Sequence, residues 1–195
     1  RDINIAFIND VAVLMNKLNI NVFEVLKAAK TKWNFLDFSP GLVGGHCVAV
    51  DPFYLYHKGK EVGHDSKIIN ISRSINDNMP FFIAKDIQKK IKKYKMKKPN
   101  ILIMGVTFKE NCNDTRNSLV PIIYKELSKN SKISIYDPMV NSKYFIDNNI
   151  KHVKLIKKNT YNIIVIAVAH KSIVNLGLAA IKKGLKNNSF LYDLK

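Results

Sequence analysis

Apolar residues recur along the first half of the chain at helical spacing. Ile5, Ile8, Ala12 and Met15 return every three or four positions and predict an amphipathic helix, with Asp2 near its start. Asn21 is a good N-cap for a second helix reaching Lys30, with Val22, Val25, Leu26 and Ala29 turned inward. A loop from Trp33 to Asp51 follows, and Pro52 suits the first turn of a short helix after it. A long helix from about Ser66 to Lys95 carries Ile68, Ile69, Ile75, Met79, Ile83, Ile87 and Ile91, and Pro80 should kink or interrupt it.

Beyond Pro99 the period changes. Ile101–Gly105 reads as a short buried strand, Ile133–Asp137 as a second ended by Pro138, and Ile163–Val168 as the clearest of all. A further short strand is expected at His152–Ile156 and a last one at Phe190–Asp193, with helices at Ser118–Lys129 and about Ile173–Lys183. Strands alternating with helices imply an α/β fold with a parallel sheet covered on both faces. The chain therefore divides near Lys97–Asn100, into a helical region 1–98 and an α/β region 99–195. Ligands of such sheets bind at the carboxyl ends of strands, and the Thr107–Arg116 loop lies at one.

Hydrophobic content of 47% over 195 residues excludes a disordered chain. No apolar run approaches the roughly 20 residues of a membrane span, so no membrane partner is expected. A net charge of +17 raises nucleic acid as a partner. The dense run Lys89–Lys98, however, continues a helix whose Ile83, Ile87, Ile91 and Tyr94 keep apolar spacing, so its lysines form a solvated face. No recognition motif accompanies the charge, and nucleic acid is set aside in favour of a small anionic ligand. Cys47 and Cys112 form no disulfide framework, which fits a reducing cytoplasm. His57, His64, His152 and His170 show no metal-ligand spacing, and no metal is expected.

The richest chemistry lies in Phe38-Ser-Pro-Gly-Leu-Val-Gly-Gly-His-Cys-Val-Ala-Val-Asp51. Gly41, Gly44 and Gly45 let backbone N–H groups approach a ligand, and such groups favour phosphates. If a helical turn starts near His46, Cys47 sits at its positive end, where a thiolate is favoured, and Asp51 lies one turn on. That pairing suits a nucleophile with a polar partner; the alternative is a glycine turn followed by an ordinary buried cysteine. His46 either tunes the thiol or contacts a sugar, or else packs the loop.

Gly44–Leu55 resembles the active-site segment of the UDP-glucose/GDP-mannose dehydrogenase family. Arg73–Pro80 resembles the family's long central helix, and Gly105–Ser118 the opening of its C-terminal domain. His46, Asp51-Pro-Phe-Tyr-Leu55 and Phe108-Lys-Glu-Asn-Cys112 are most similar to the UDP-N-acetylhexosamine 6-dehydrogenases, of the type that makes Vi antigen. The resemblance implies a helical central dimerisation domain over 1–98 and a Rossmann-like UDP-sugar-binding domain over 99–195. It also implies that a UDP-sugar 6-hydroxyl is oxidised twice with two NAD, giving a uronic acid for surface polysaccharide. Cys47 would carry the thiohemiacetal and thioester, and Asp51 would hold water or a base. Phe38, Gly41, Gly44, Gly45, His46, Tyr54, Phe108 and Lys109 would contact the substrate. Arg116 would contact the NAD pyrophosphate. Read without the resemblance, charge alone favours Lys109 and Arg116 as surface cations of a basic chain, and Tyr54 as a packing residue.

Arg1–Asp10 resembles the middle of the family's central helix, and no Gly-x-Gly-x-x-Gly occurs. The resemblance implies that the catalytic lysine, its asparagine and the NAD domain lie upstream of Arg1. These residues alone are therefore expected to be inactive, and the competing class is a nucleotide-binding and dimerisation module without catalysis. The helical half supplies more apolar surface than a small layer covers, so a homodimer is expected. The alternative is that the α/β half covers that stripe within one chain.

Overall fold

A computed structural model describes residues 1–194. Four helices come first: α1 (Asp2–Leu18), α2 (Val22–Ala29), α3 (Cys47–Glu61) and α4 (Lys67–Lys93). The remainder alternates as β1 (Asn100–Met104), α5 (Val120–Ser128), β2 (Lys132–Tyr136), α6 (Ser142–Asp147) and β3 (Tyr161–Ile166). It ends with α7 (Lys171–Val174), α8 (Gly177–Lys182) and β4 (Leu185–Asp193).

All strand pairs are parallel, in the order β2-β1-β3-β4. Side chains alternate across the sheet. Ile101, Ile103, Ile163 and Val165 face one core shared with α4, α5 and α6. Leu102, Met104, Ile164 and Ile166 face a second with Ile173 and Ile181. Both faces are covered, as the near-continuous apolar strands require. The α4 residues Met79, Ile83 and Ile87 belong to the first core, so the helical region packs directly on the sheet.

Several elements differ from expectation. The third helix starts at Cys47, not Pro52, and contains the proline in its second turn. Likewise α4 runs uninterrupted through Pro80, whose ring is buried. A proline removes one i→i−4 bond, and in α4, whose Met79, Ile83 and Ile87 join the sheet core, packing outweighs that loss. His152 makes a single bridge to Ile135 and starts no strand. The expected last helix is divided into α7 and α8, with Gly177 at φ 75° marking the break. Polar Lys186–Ser189 hides the first half of β4, which bulges between its pairings with Tyr161 and Ile163. In α2 only Leu26 is buried, and Val25 is exposed. Helix α6 was signalled only by Asn141, whose Oδ1 accepts the Lys143 N–H.

The stripe on α1 is covered within the chain. Ile8 is buried and Ile5, Ala12 and Met15 are half-buried where α1 lies along α4. Between these helices sits a polar seam. Arg73 Nη1 donates to Asp2 Oδ1 (2.6 Å) with both side chains buried, and Arg73 also pairs with Asp77. Asn76 Nδ2 donates to Asp2 Oδ1 (2.7 Å), and Asn9 Nδ2 donates to Asn76 Oδ1 (2.9 Å). A buried charge of this kind is tolerable only with such partners.

Candidate functional site

The polar seam fixes the glycine loop. Asn9 holds the backbone of Gly41 from both sides: Gly41 N–H donates to Asn9 Oδ1 (2.8 Å), and Asn9 Nδ2 donates to Gly41 O (3.0 Å). The Gly41 N–H is thus taken and offers nothing to a ligand. At Gly44 and Gly45 the close neighbours are again protein. A Cβ on Gly44 would lie 2.5 Å from Asn117 O, and one on Gly45 would lie 2.7 Å from the Phe108 ring. Gly45 also has φ 86°. These glycines therefore let the loop at the end of β1 dock, where ligand approach was the expectation. Asn117 Nδ2 donates to Gly45 O (3.2 Å) across the same contact.

Two residues later the chain enters α3, and Cys47 is its first residue, with an exposed thiol. The ordinary buried cysteine is excluded. Cys47, Asp51 and Leu55 succeed one another on one helix face and line a cavity of about 410 Å³. Arg1, Asp2, Ile3 and Ile69 form its other wall.

The second part of the site lies at the sheet. Strand β1 has β2 on one side and β3 on the other, so connections leaving β1 and β3 diverge at their carboxyl ends, the usual ligand crevice of open α/β sheets. Thr107, Phe108 and Lys109 leave β1 there, and Ala167 and Val168 leave β3. With Gly41, Gly44 and the start of α5 they line a narrow cleft of about 20 Å³. The cleft shares Gly41 and Leu194 with a wider cavity of about 360 Å³ that also contains Asp86, Lys90 and Tyr192. Tyr192 Oη donates to Asp86 Oδ2 (2.9 Å), and burial, with Asp86 adding to it, pushes the phenol up. Asp137, at the end of β2, accepts the Val106 and Met139 N–H groups (2.7 and 2.8 Å) and lies 3.3 Å from His170.

Arg116 is exposed on the loop's far side. Its Nε and Nη2 donate to Asp114, leaving Nη1 outside the pair. Those bonds hold the Asp114 carboxyl down at about 2, with the charge of His46 contributing. A depressed carboxyl keeps its pairing above the usual carboxylate range and loses it only as pH falls toward that value. His46, exposed at the N-cap of α3, thus lies near Asp114 and Arg116 and lines neither the Cys47 cavity nor the narrow cleft. Phe38 is half-buried and Tyr54 is 71% exposed, and neither lines these two cavities. Cys112 donates to Lys109 O (3.3 Å), a bond within the loop. The structure therefore brings Cys47 to Asp51, and Gly41 and Gly44 to Phe108 and Lys109, as two adjoining groups. Sequence reasoning missed Asn9, Asp137 and His170, because an isolated polar residue in an apolar segment carries no spacing signal. Among the described residues no cluster of three His, Cys, Asp or Glu could hold a metal, and no helix is long and apolar enough to cross a membrane.

Comparison with known proteins gives two family matches. Residues 1–78 match the central domain of the UDP-glucose/GDP-mannose dehydrogenase family, and residues 102–195 match its UDP binding domain. A UDP-N-acetyl-D-glucosamine 6-dehydrogenase of Salmonella typhi is 42% identical over 199 residues, covering 100% of this chain and 47% of the relative. A UDP-N-acetyl-D-mannosamine dehydrogenase of Campylobacter jejuni is 34% identical over 90% of this chain and 44% of its own length. Among solved structures, the UDP-D-ManNAc dehydrogenase of Pyrococcus horikoshii superposes with a TM-score of 0.82 at 27% identity. That superposition covers 100% of this chain and 49% of the other. The chain spans about half the length of the relatives it matches.

Proposed function

The chain belongs to the UDP-glucose/GDP-mannose dehydrogenase family, and from that premise we propose that it is the thiol-bearing, nucleotide-binding half of a UDP-N-acetylhexosamine 6-dehydrogenase. The relatives act on different hexosamines, so the substrate is named here as a class. The observation that carries the reading is the exposed Cys47 at the start of α3, with Asp51 on the same cavity wall. A 6-hydroxyl that has lost a hydride and a proton is an aldehyde. Cys47 Sγ bonds to its carbonyl carbon, and the oxygen takes a proton to give a thiohemiacetal. Loss of a second hydride and that proton leaves a thioester. Water adds, the C–S bond breaks, and the uronic acid departs with Cys47 regenerated as a thiol or thiolate. Asp51 orients that water or an active-site base.

Lys109, at the switch point of the sheet, is assigned to the diphosphate, with the glycine loop and Phe108 around it. NAD, when bound, supplies the hydride acceptor for both oxidations, and the outward Arg116, oriented by Asp114, is the group here suited to its pyrophosphate. The cytoplasm suits an exposed catalytic thiol, and a uronic acid suits surface polysaccharide synthesis. The oligomer is assigned as a homodimer through the outer face of α1, where Phe7, Leu14 and Leu18 are exposed. The residue ranges 1–98 and 99–195 are the corresponding working domains.

A second reading, binding without turnover, applies to these 195 residues on their own, because they contain no Gly-x-Gly-x-x-Gly. They are expected to bind UDP and the UDP-sugar and to leave the sugar's 6-hydroxyl unoxidised. Joined to an NAD-binding domain of this family and the segment that carries its lysine and asparagine, the wild-type sequence should form uronic acid and Cys47→Ala should form none, while both bind UDP alike by calorimetry. Near-normal turnover by Cys47→Ala would overturn the assignment. In the same titration Lys109→Ala should weaken UDP by about tenfold or more, the loss of a charged hydrogen bond.

A further inference from the structure

His170 is completely buried, yet it is bonded on both ring edges. Its Nδ1 accepts the backbone N–H of Asn111 (2.9 Å), which places the ring proton on Nε2. Thr107 donates its hydroxyl proton to Lys109 O (2.7 Å), so toward His170 that oxygen is an acceptor. The Nε2–H is thus shared between Thr107 Oγ1 at 3.2 Å and Asp137 Oδ2 at 3.3 Å. Asn111 closes the circuit: its Oδ1 accepts the N–H of Lys171 (2.7 Å), the residue after His170. One imidazole therefore ties the ends of β1, β2 and β3 to the middle of the loop that carries Lys109 and Arg116. The buried Nδ1 demands a donor, and the Asn111 N–H supplies it in this loop conformation, so the ring selects that conformation over others.

We propose that His170 is a positioning residue: through Nδ1 it sets the conformation of the Thr107–Arg116 loop, and so the placement of Lys109 for the diphosphate of the nucleotide. The link to the nucleotide rests on the reading of Lys109 given above, whereas the link to the loop does not.

Two variants separate the ring edges. His170→Asn keeps an acceptor near Nδ1 and loses the Nε2 donor, whereas His170→Gln keeps a donor near Nε2 and loses the acceptor. Amide hydrogen exchange across residues 108–116, referred to β3 amides in the same protein, should quicken about tenfold in His170→Gln and stay within about twofold of wild type in His170→Asn. UDP calorimetry should follow the same order, with His170→Gln weaker by about tenfold. Equal loosening in both variants, or none in either, overturns the proposal, as does a loosened loop with unchanged UDP affinity. A wild-type chain that fails to bind UDP sinks the functional reading instead, and the exchange pattern then judges the loop alone. Should the His170 variants not fold, the wild-type chain gives a second test. Nitrogen NMR of its His170 ring should show Nδ1 unprotonated and hydrogen-bond coupled to the Asn111 amide, with the proton on Nε2. A proton on Nδ1, or no coupling to that amide, likewise overturns the proposal.

Discussion

A methyl group on Gly45 would meet the Phe108 ring at 2.7 Å, on a backbone with φ 86°. Gly45→Ala should therefore cost about 1–3 kcal/mol of stability, from contact and from the left-handed backbone together. Urea unfolding measures the sum. Adding Phe108→Leu separates the parts, because it relieves the contact and leaves the backbone strain. The double variant should be less destabilised than the two single losses added together; strict additivity would mean that the ring is not the obstacle. At this scale the glycines were legible as positions that need close approach, but what approaches them was not. A ring from a residue more than sixty positions later fills the space that sequence reasoning assigned to ligand.

Periodicity located α1 and α4 because their apolar faces repeat at helical spacing. It did not show that the seam between them is polar, with Asp2, Asn9, Arg73 and Asn76 all buried. Asn9 connects that seam to Gly41, so the helix pair positions the loop ahead of Cys47. Asn9→Leu keeps the branching and heavy-atom count and removes these bonds, leaving the Gly41 N–H without its acceptor. A loss of roughly 1–3 kcal/mol in thermal or urea unfolding is expected. Exchange of the amides of residues 41–46 should quicken while that of α2 stays unchanged. An unaltered loop would show that Asn9 serves only the helix seam. Pro80 carries the same message at this scale: it lies inside α4 with its ring buried, because packing outweighs one missing bond.

For the whole molecule, the covered stripe and the exposed face of α1 make different predictions. Ile8 is 4% exposed and Phe7 63%. Ile8→Lys should unfold the chain, since it places a charge in the packed layer. Phe7→Lys should leave a folded protein and shift a dimer toward monomer in light scattering across a dilution series. A wild-type monomer mass at every concentration would reject the dimer. The stripe from which a dimer was first inferred, Ile5, Ile8, Ala12 and Met15, is occupied by packing within the chain, on α4. The proposed interface therefore moves to the opposite face.

The sequence by itself determined the α/β class, the helices of the first half, and three motifs in family order. Each depends on residues close in sequence, where periodicity and glycine or proline chemistry act directly. Tertiary structure alone decided what those motifs touch. Phe108 over Gly45, Asn9 on Gly41, and His170 between Asn111 and Asp137 join residues 32 to 63 positions apart. Contacts of that span are set by how helices and sheet pack, and no local pattern in the chain encodes them.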